Sequence, residues 1–158
     1  MMLEHYYYEK EFKVLNKHKI KYLVIGGIAV NLYGLHRFTR DLDLMISLSS
    51  ENFDKFLEVM KELGYESRVP RSEWKKHAGI AFRNKTDQDK RIDIFLKNPI
   101  DFDSSYKSRK IINVDDKFSV SCVSLENLIE LKEKADRVRD WIDLGSLKRM
   151  IKLKDNEK

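Results

Sequence analysis

An apolar run that stops at two glycines, followed by two aspartates one residue apart, limits this chain more than any other feature. Ile20–Ile25 reads as a short buried strand, Gly26-Gly27 breaks it, and Ile28–Leu35 reads as a short helix. Asp41–Leu48 reads as a second strand. Strand side chains alternate, so Asp41 and Asp43 share one face while Leu42 and Leu44 point into the core. Two carboxylates side by side repel each other. They persist at a sheet edge in water or where a cation sits between them, and carboxylate oxygens are ligands that Mg²⁺ takes. The glycine pair adds a complement, because backbone N–H groups exposed where a strand enters a helix suit phosphate. A tight turn accounts for Gly26-Gly27 equally well. The sequence of a Walker loop and the GxGxxG dinucleotide pattern are both missing.

A third acid repeats the pattern. In Lys90–Leu96, Arg91, Asp93 and Phe95 share one strand face and Ile92, Ile94 and Leu96 the other. If this strand lies beside Asp41–Leu48, three carboxylates converge. That arrangement is costly without cations, and two Mg²⁺ ions would offset the charge and serve phosphoryl or nucleotidyl transfer.

The rest of the chain supplies a frame. Met2–Lys17 reads as a polar helix with Leu3, Tyr6, Tyr7, Val14 and Leu15 as apolar positions. Ser50 is placed to cap a helix whose apolar residues Phe53, Phe56, Leu57, Met60 and Leu63 follow one face up to Gly64. Gly79–Arg83 and Lys90–Leu96 flank a polar turn and read as a hairpin, as do Ile111–Val114 and Phe118–Val123. Ser124 caps a last helical region that runs to Leu144, where Gly145 is expected to break it. The order of elements predicts an α+β fold with a mixed sheet flanked by helices and a C-terminal helical segment, rather than a doubly wound parallel sheet. Residues 1–158 fit a single domain with a core over about 20–123 and helices over about 124–153.

Charge narrows the partners. The formal net charge of +5 resides in Arg68–Arg91, which carries eight basic and three acidic residues. That segment reads as a solvated hairpin or as a basic face for phosphates or nucleic acid. No apolar run is long enough to span a membrane, and Met1–Glu11 lacks a secretory pattern, so a cytoplasmic protein is expected. The lone Cys122 rules out an intramolecular disulfide and reads as a structural thiol. His5, His18, His36 and His77 lack the spacing of zinc ligands, and Trp74 reads as a buried anchor or a base-stacking platform.

The segment Ile25-Gly26-Gly27, thirteen residues, then Asp41-Leu42-Asp43-Leu44 resembles the nucleotidyltransferase superfamily typified by DNA polymerase β. It is closest to the small prokaryotic nucleotidyltransferases, the minimal and abortive-infection toxin types. A second match lies in Arg137-Val138-Arg139-Asp140-Trp141-Ile142-Asp143, which resembles the Arg-x-Lys-Asp-x-x-Asp motif of the toxin type, with Arg139 where that motif has lysine. Lys132 matches the lysine that precedes it. The resemblance covers about residues 20–145. Independently, Lys132 falls in the apolar stripe of Leu125, Leu128 and Ile129, and Asp140 and Asp143 share a face with Leu144 and Leu147. An Arg–Asp network, such as Arg139 to Asp143, and a nucleotide-positioning surface both account for that pattern.

The resemblance implies roles. Asp41 and Asp43 would hold Mg²⁺ or Mn²⁺ and bridge it to a triphosphate. Asp93 would hold a second ion and act as general base toward the acceptor hydroxyl. Gly26, Gly27, Arg37, Thr39, Arg40, Lys132 and Asp140 would bind the nucleotide. The reaction implied is transfer of a nucleoside monophosphate from an NTP to a hydroxyl, with release of pyrophosphate. RNA such as a tRNA end, or a protein hydroxyl, is the favoured acceptor, and a small antibiotic is the third. The competing readings are a catalytically weak nucleotide- or RNA-binding module, and a toxin–antitoxin subunit working through a cognate partner.

Overall fold

Runs of β-branched and aliphatic residues form the centre of the fold, and the polar helices lie outside it. The computed structural model describes residues 7–36 and 38–156. The expected residues Leu3, His5, Tyr6 and Arg37 lie outside the described residues. Helix α1 (Glu9–Lys17) buries Phe12 and Leu15 and packs on strand β7 (Phe118–Cys122). Strand β1 (Tyr22–Ile25) is buried at every position. It enters helix α2 (Gly26–Leu32) directly, so the helix starts at the glycines rather than after them.

Strand β2 (Leu42–Ile46) pairs antiparallel with β1 and parallel with β5 (Arg91–Phe95). Strand β4 (Gly79–Asn84) forms the first predicted hairpin with β5, and β6 (Lys110–Val114) forms the second with β7. A two-residue strand β3 (Tyr65–Glu66) adds to the edge of β4. It follows Gly64, whose φ of 80° turns the chain out of helix α3 (Ser50–Glu62). The seven strands run in the order β3-β4-β5-β2-β1-β7-β6. The sheet is therefore mixed, as predicted, and β2 is its central strand. That position removes the water-bathed edge as a reason for Asp41 and Asp43 to stand side by side.

The helical caps differ in detail from the sequence reading. Ser49, not Ser50, caps α3, and its hydroxyl accepts the Asn52 N–H at 3.3 Å. Ser124 caps helix α5 (Leu125–Ala135) as expected. The last helical region does not break at Gly145. It breaks at Asp136, which takes a left-handed φ of 49° while its carboxylate accepts the Trp141 indole N–H at 2.7 Å. Helix α6 (Val138–Asn156) then runs straight through Gly145. Helix α4 (Phe102–Lys107), with Asp101 as its cap, was not expected from periodicity, because six residues are too short to show a face. Trp74 is an anchor: it packs edge-on against Phe53 and Phe82 and donates its indole N–H to Val69 at 2.9 Å. Cys122 is fully buried, which pushes its thiol up to about 12 and makes it inert.

Gly145 is exposed, and a methyl group added there would meet open space. Glycine in a helix interior costs about 1 kcal/mol relative to alanine. Gly145→Ala is therefore expected to stabilise the protein by about that amount. Urea unfolding checks it, and an unchanged midpoint contradicts it.

Candidate active site

The site begins with the register of β2 and β5. Leu42 pairs with Ile92, Asp43 with Asp93 and Leu44 with Ile94. In a parallel pair, partnered residues point to the same face, so the apolar pairs go inward and the two aspartates emerge together. Asp41 directly precedes β2. The three carboxylates therefore converge as the alternation predicted once the two strands are neighbours.

The cost of that convergence shows in the carboxyls. Burial, followed by the Asp93 and Asp41 charges, pushes Asp43 well above the ordinary carboxylate range, and Lys132 only partly offsets this. The two carboxyls stand beside each other on adjacent strands, so the charge on one opposes ionisation of the other. Burial also raises Asp93, against the pull of Arg91. The Arg91 Nε donates to Asp93 Oδ1 at 2.8 Å.

The two glycines are shaped to this pair. Gly26 has a φ of 69°, and a Cβ on it would collide with Asp43 Oδ2 and lie 3.1 Å from Asp43 Cβ. A Cβ on Gly27 would come within 2.8 Å of Thr39 Cβ and Oγ1. The turn from β1 into α2 is thus pressed against Asp43 and Thr39 at backbone distance. Gly26→Ala adds left-handed strain of about 1–2 kcal/mol and displaces Asp43. It is expected to lower nucleotidyl transfer about 10²-fold. Steady-state kinetics on the folded variant checks this, and unchanged turnover contradicts it.

A cleft of about 950 Å³ opens over these groups. Gly26, Gly27, Thr39, Asp41, Asp43 and Asp93 line it from the sheet side, and Lys132 and Asp140 from the C-terminal helices. Arg40 is not among the lining residues. Its guanidinium lies over the Phe38 ring, 5.5 Å from the centroid, and 3.7 Å from Asp89. The cleft also gathers Arg68, Arg83 and Arg91, which the basic segment signalled only as a group, and Arg137 and Arg139 from the second motif.

Lys132 is 4% exposed and lies 3.1 Å from both Asp140 and Asp143. Arg137 Nε reaches the other oxygen of Asp140 at 2.7 Å. The network anticipated from the sequence exists, but its cations are Lys132 and Arg137, while Arg139 is exposed on the cleft wall. Burial pushes Asp140 up, yet hydrogen bonds from Arg137 and Lys132 and their charges hold it below the ordinary carboxylate range.

The donor set fits a hard divalent cation: oxygen-only ligands whose negative charge is held at a cost by burial and by one another. Among the described residues, no three side chains already surround one point as ligands. The Arg91 guanidinium lies on Asp93 Oδ1 instead.

Known structures share this frame. The chain aligns over 94% of its length with 96% of the lincosamide antibiotic adenylyltransferase LnuA in its lincomycin-bound form, at 19% identity and a TM-score of 0.64. The antibiotic-resistance factor ANT(2")-Ia in complex with adenylyl-2"-tobramycin aligns over 92% of this chain and 87% of its own, at 15% identity and a TM-score of 0.62. An antigenic nucleotidyltransferase-like protein from Paracoccidioides brasiliensis aligns over 96% of this chain and 76% of its own, at 18% identity and a TM-score of 0.63. At such identities the likeness is one of fold. No curated protein matches the sequence. The model of the family described as nucleotidyl transferase AbiEii toxin, type IV toxin–antitoxin system, matches residues 13–157. That match spans most of the chain, and the chain belongs to this family of nucleotidyltransferase toxins.

Proposed function

We propose that the protein transfers a nucleoside monophosphate from an NTP to a hydroxyl of RNA or protein, releasing pyrophosphate, and that it depends on Mg²⁺ or Mn²⁺. The observation that carries this reading is the pairing of Asp43 with Asp93 on adjacent parallel strands, against a glycine turn that a side chain would fill. Asp41, Asp43 and Asp93 would hold the metal, two ions in the full reading, which supplies neutralising charge at the triphosphate when bound.

The chain's own groups do the rest. Gly26 and Gly27 present bare backbone to the phosphates, and Thr39 packs against Gly27. The acceptor oxygen attacks the α-phosphorus, the bond to the bridging oxygen breaks, and pyrophosphate leaves. Asp93 takes the hydroxyl proton, with Arg91 fixing its carboxylate. Lys132 and Asp140 form the nucleotide's far wall from the helices. Arg40 would reach the triphosphate only after leaving Asp89, and the resemblance assigns Arg37 the same role. Because sheet and C-terminal helices both line the cleft, residues 1–158 act as one catalytic unit. Arg68, Arg83 and Arg139 at the cleft favour an anionic acceptor. Membership of a type IV toxin–antitoxin family supports a cognate antitoxin. Among the described residues, no helix is long and apolar enough to cross a membrane.

The test is label transfer from each of the four α-labelled NTPs, with Mg²⁺ or Mn²⁺ and host RNA and protein. Label on RNA or protein is expected with one NTP, and none with Asp41→Asn/Asp43→Asn. No label and no NTP binding would overturn the proposal.

A further inference from the structure

Tyr8 belongs to none of the motifs and does not line the cleft, yet it is fully buried and touches the backbone of both acid-bearing strands. Its hydroxyl donates to the carbonyl oxygen of Arg40, the residue directly before Asp41. The same oxygen accepts the N–H of Arg91 at 3.2 Å and lies 3.1 Å from the Arg91 carbonyl. A tyrosine hydroxyl has one proton and two lone pairs, so it can serve one strand as donor and the other as acceptor at once.

The place of these contacts matters. Residue pairing between β2 and β5 starts at Leu42 and Ile92. The phenol oxygen therefore bridges the two strands just ahead of the ladder, two residues before Leu42 and one before Ile92, next to Asp41. Arg91 is also the residue whose Nε holds Asp93. A single hydroxyl thus fixes the backbone next to one acid and the backbone of the guanidinium that holds another. Burial holds this hydroxyl well above the usual tyrosine range, so it stays a donor at neutral pH. Its neighbour Tyr7 makes no such bridge. The Tyr7 ring lies edge-on to Tyr8, with centroids 5.3 Å apart, and its hydroxyl goes to Asp87 at 2.9 Å.

We infer that Tyr8 is a positioning residue for nucleotidyl transfer: its hydroxyl pins the start of β2 to the start of β5 and so sets the spacing of Asp41 and Asp93. This rests on the nucleotidyl-transfer reading for its catalytic consequence, and on hydrogen bonds alone for the clamp. Reactive groups displaced by about 1 Å lose about 10²-fold in rate, so the loss of one clamp that shifts them less is expected to lower kcat roughly 10-fold or more.

The experiment compares wild type, Tyr8→Phe and Tyr7→Phe in two readouts. The first is amide exchange at Arg91–Asp93 and Leu42–Leu44, which needs no activity. The second is kcat and KM for NMP transfer to the acceptor found by label transfer. Tyr8→Phe is expected to speed exchange at Arg91 about 10-fold, leave β6 and β7 unchanged, and lower kcat with KM for the NTP within about threefold. Tyr7→Phe is expected to match wild type in kcat. Unchanged exchange at Arg91 overturns the clamp. An active wild type with Tyr8→Phe kcat within twofold overturns the positioning role alone. A wild type that transfers nothing overturns the nucleotidyl-transfer reading and the positioning role with it, while the exchange data still decide the clamp. Should Tyr8→Phe fail to fold, exchange in wild type decides: an Arg91 amide as fast as an exposed loop amide overturns the proposal.

Discussion

Asp43→Asn is expected to abolish nucleotidyl transfer, by about 10³-fold or more, and at the same time to stabilise the metal-free protein. Both effects have one cause. Asp43 sits on the central strand between Asp41 and Asp93, and in the absence of a cation it stays protonated well into the range where aspartate is normally ionised. A carboxylate placed where charge develops supplies electrostatic stabilisation worth orders of magnitude in rate. The same carboxylate is a liability when its counter-charge is absent, because desolvation and like charge both oppose it. An amide keeps the shape and removes the charge. The expected gain in the metal-free protein is about 1–2 kcal/mol, after discounting for partial solvation, which is a few degrees in Tm. Mg²⁺ is expected to raise the Tm of wild type, because it binds only the folded chain, and to leave Asp43→Asn unmoved. A variant that loses activity and also loses stability would mean that Asp43 serves the fold and not a cation.

Lys132→Met carries the largest expected loss of stability. Lys132 is nearly enclosed, with Asp140 and Asp143 each 3.1 Å away, and Asp140 is fully buried. Removing one partner from a buried ion pair costs about 3–5 kcal/mol, because the remaining charge is left without compensation. Arg137 still reaches Asp140 at 2.7 Å, so the loss belongs near 3 kcal/mol, a large part of a typical total. Urea unfolding at neutral pH measures it, and a loss under about 1 kcal/mol contradicts the network's role. The acid limb offers a second check. Asp140 has a folded value below its unfolded one, so its stabilisation is complete above the ordinary carboxylate range and drains away as pH falls through the lowered value. The stability difference between wild type and Asp140→Asn is therefore expected to narrow on acidification.

Much of the site was legible in the order of residues because its physics is local. Alternation along a strand places Asp41 and Asp43 on one face and does the same for Arg91, Asp93 and Phe95. Those facts hold whatever the strands pack against. Likewise, a lysine in the stripe of Leu125, Leu128 and Ile129, and two aspartates in line with Leu147, marked charges that need partners, and left an ion network and a nucleotide-positioning surface both open. The choice of cation was not local. Arg139 and Asp143 have helical spacing, but Lys132 reaches Asp143 from another helix, and only the packing of α5 on α6 decides that. The break at Asp136 in place of Gly145 is a local competition between a helix-weakening glycine and side-chain contacts that close a turn. Glycine weakens a helix by about 1 kcal/mol, less than the hydrogen bonds from Trp141 to Asp136 and from Arg137 to Asp140 contribute together.

Tertiary structure alone decided three further things. It made β2 the central strand, which turned two tolerable edge acids into a site that needs positive charge. It placed Asp93 beside Asp43, since strand order depends on long-range pairing that no window of sequence contains. And it brought Tyr8 across more than thirty residues to the head of both strands. The sequence by itself determined which side chains travel together on each strand and helix, because backbone geometry imposes those periods on any chain. Which strands and helices then meet depends on the burial of apolar faces across the whole chain, and that is a property of the folded protein.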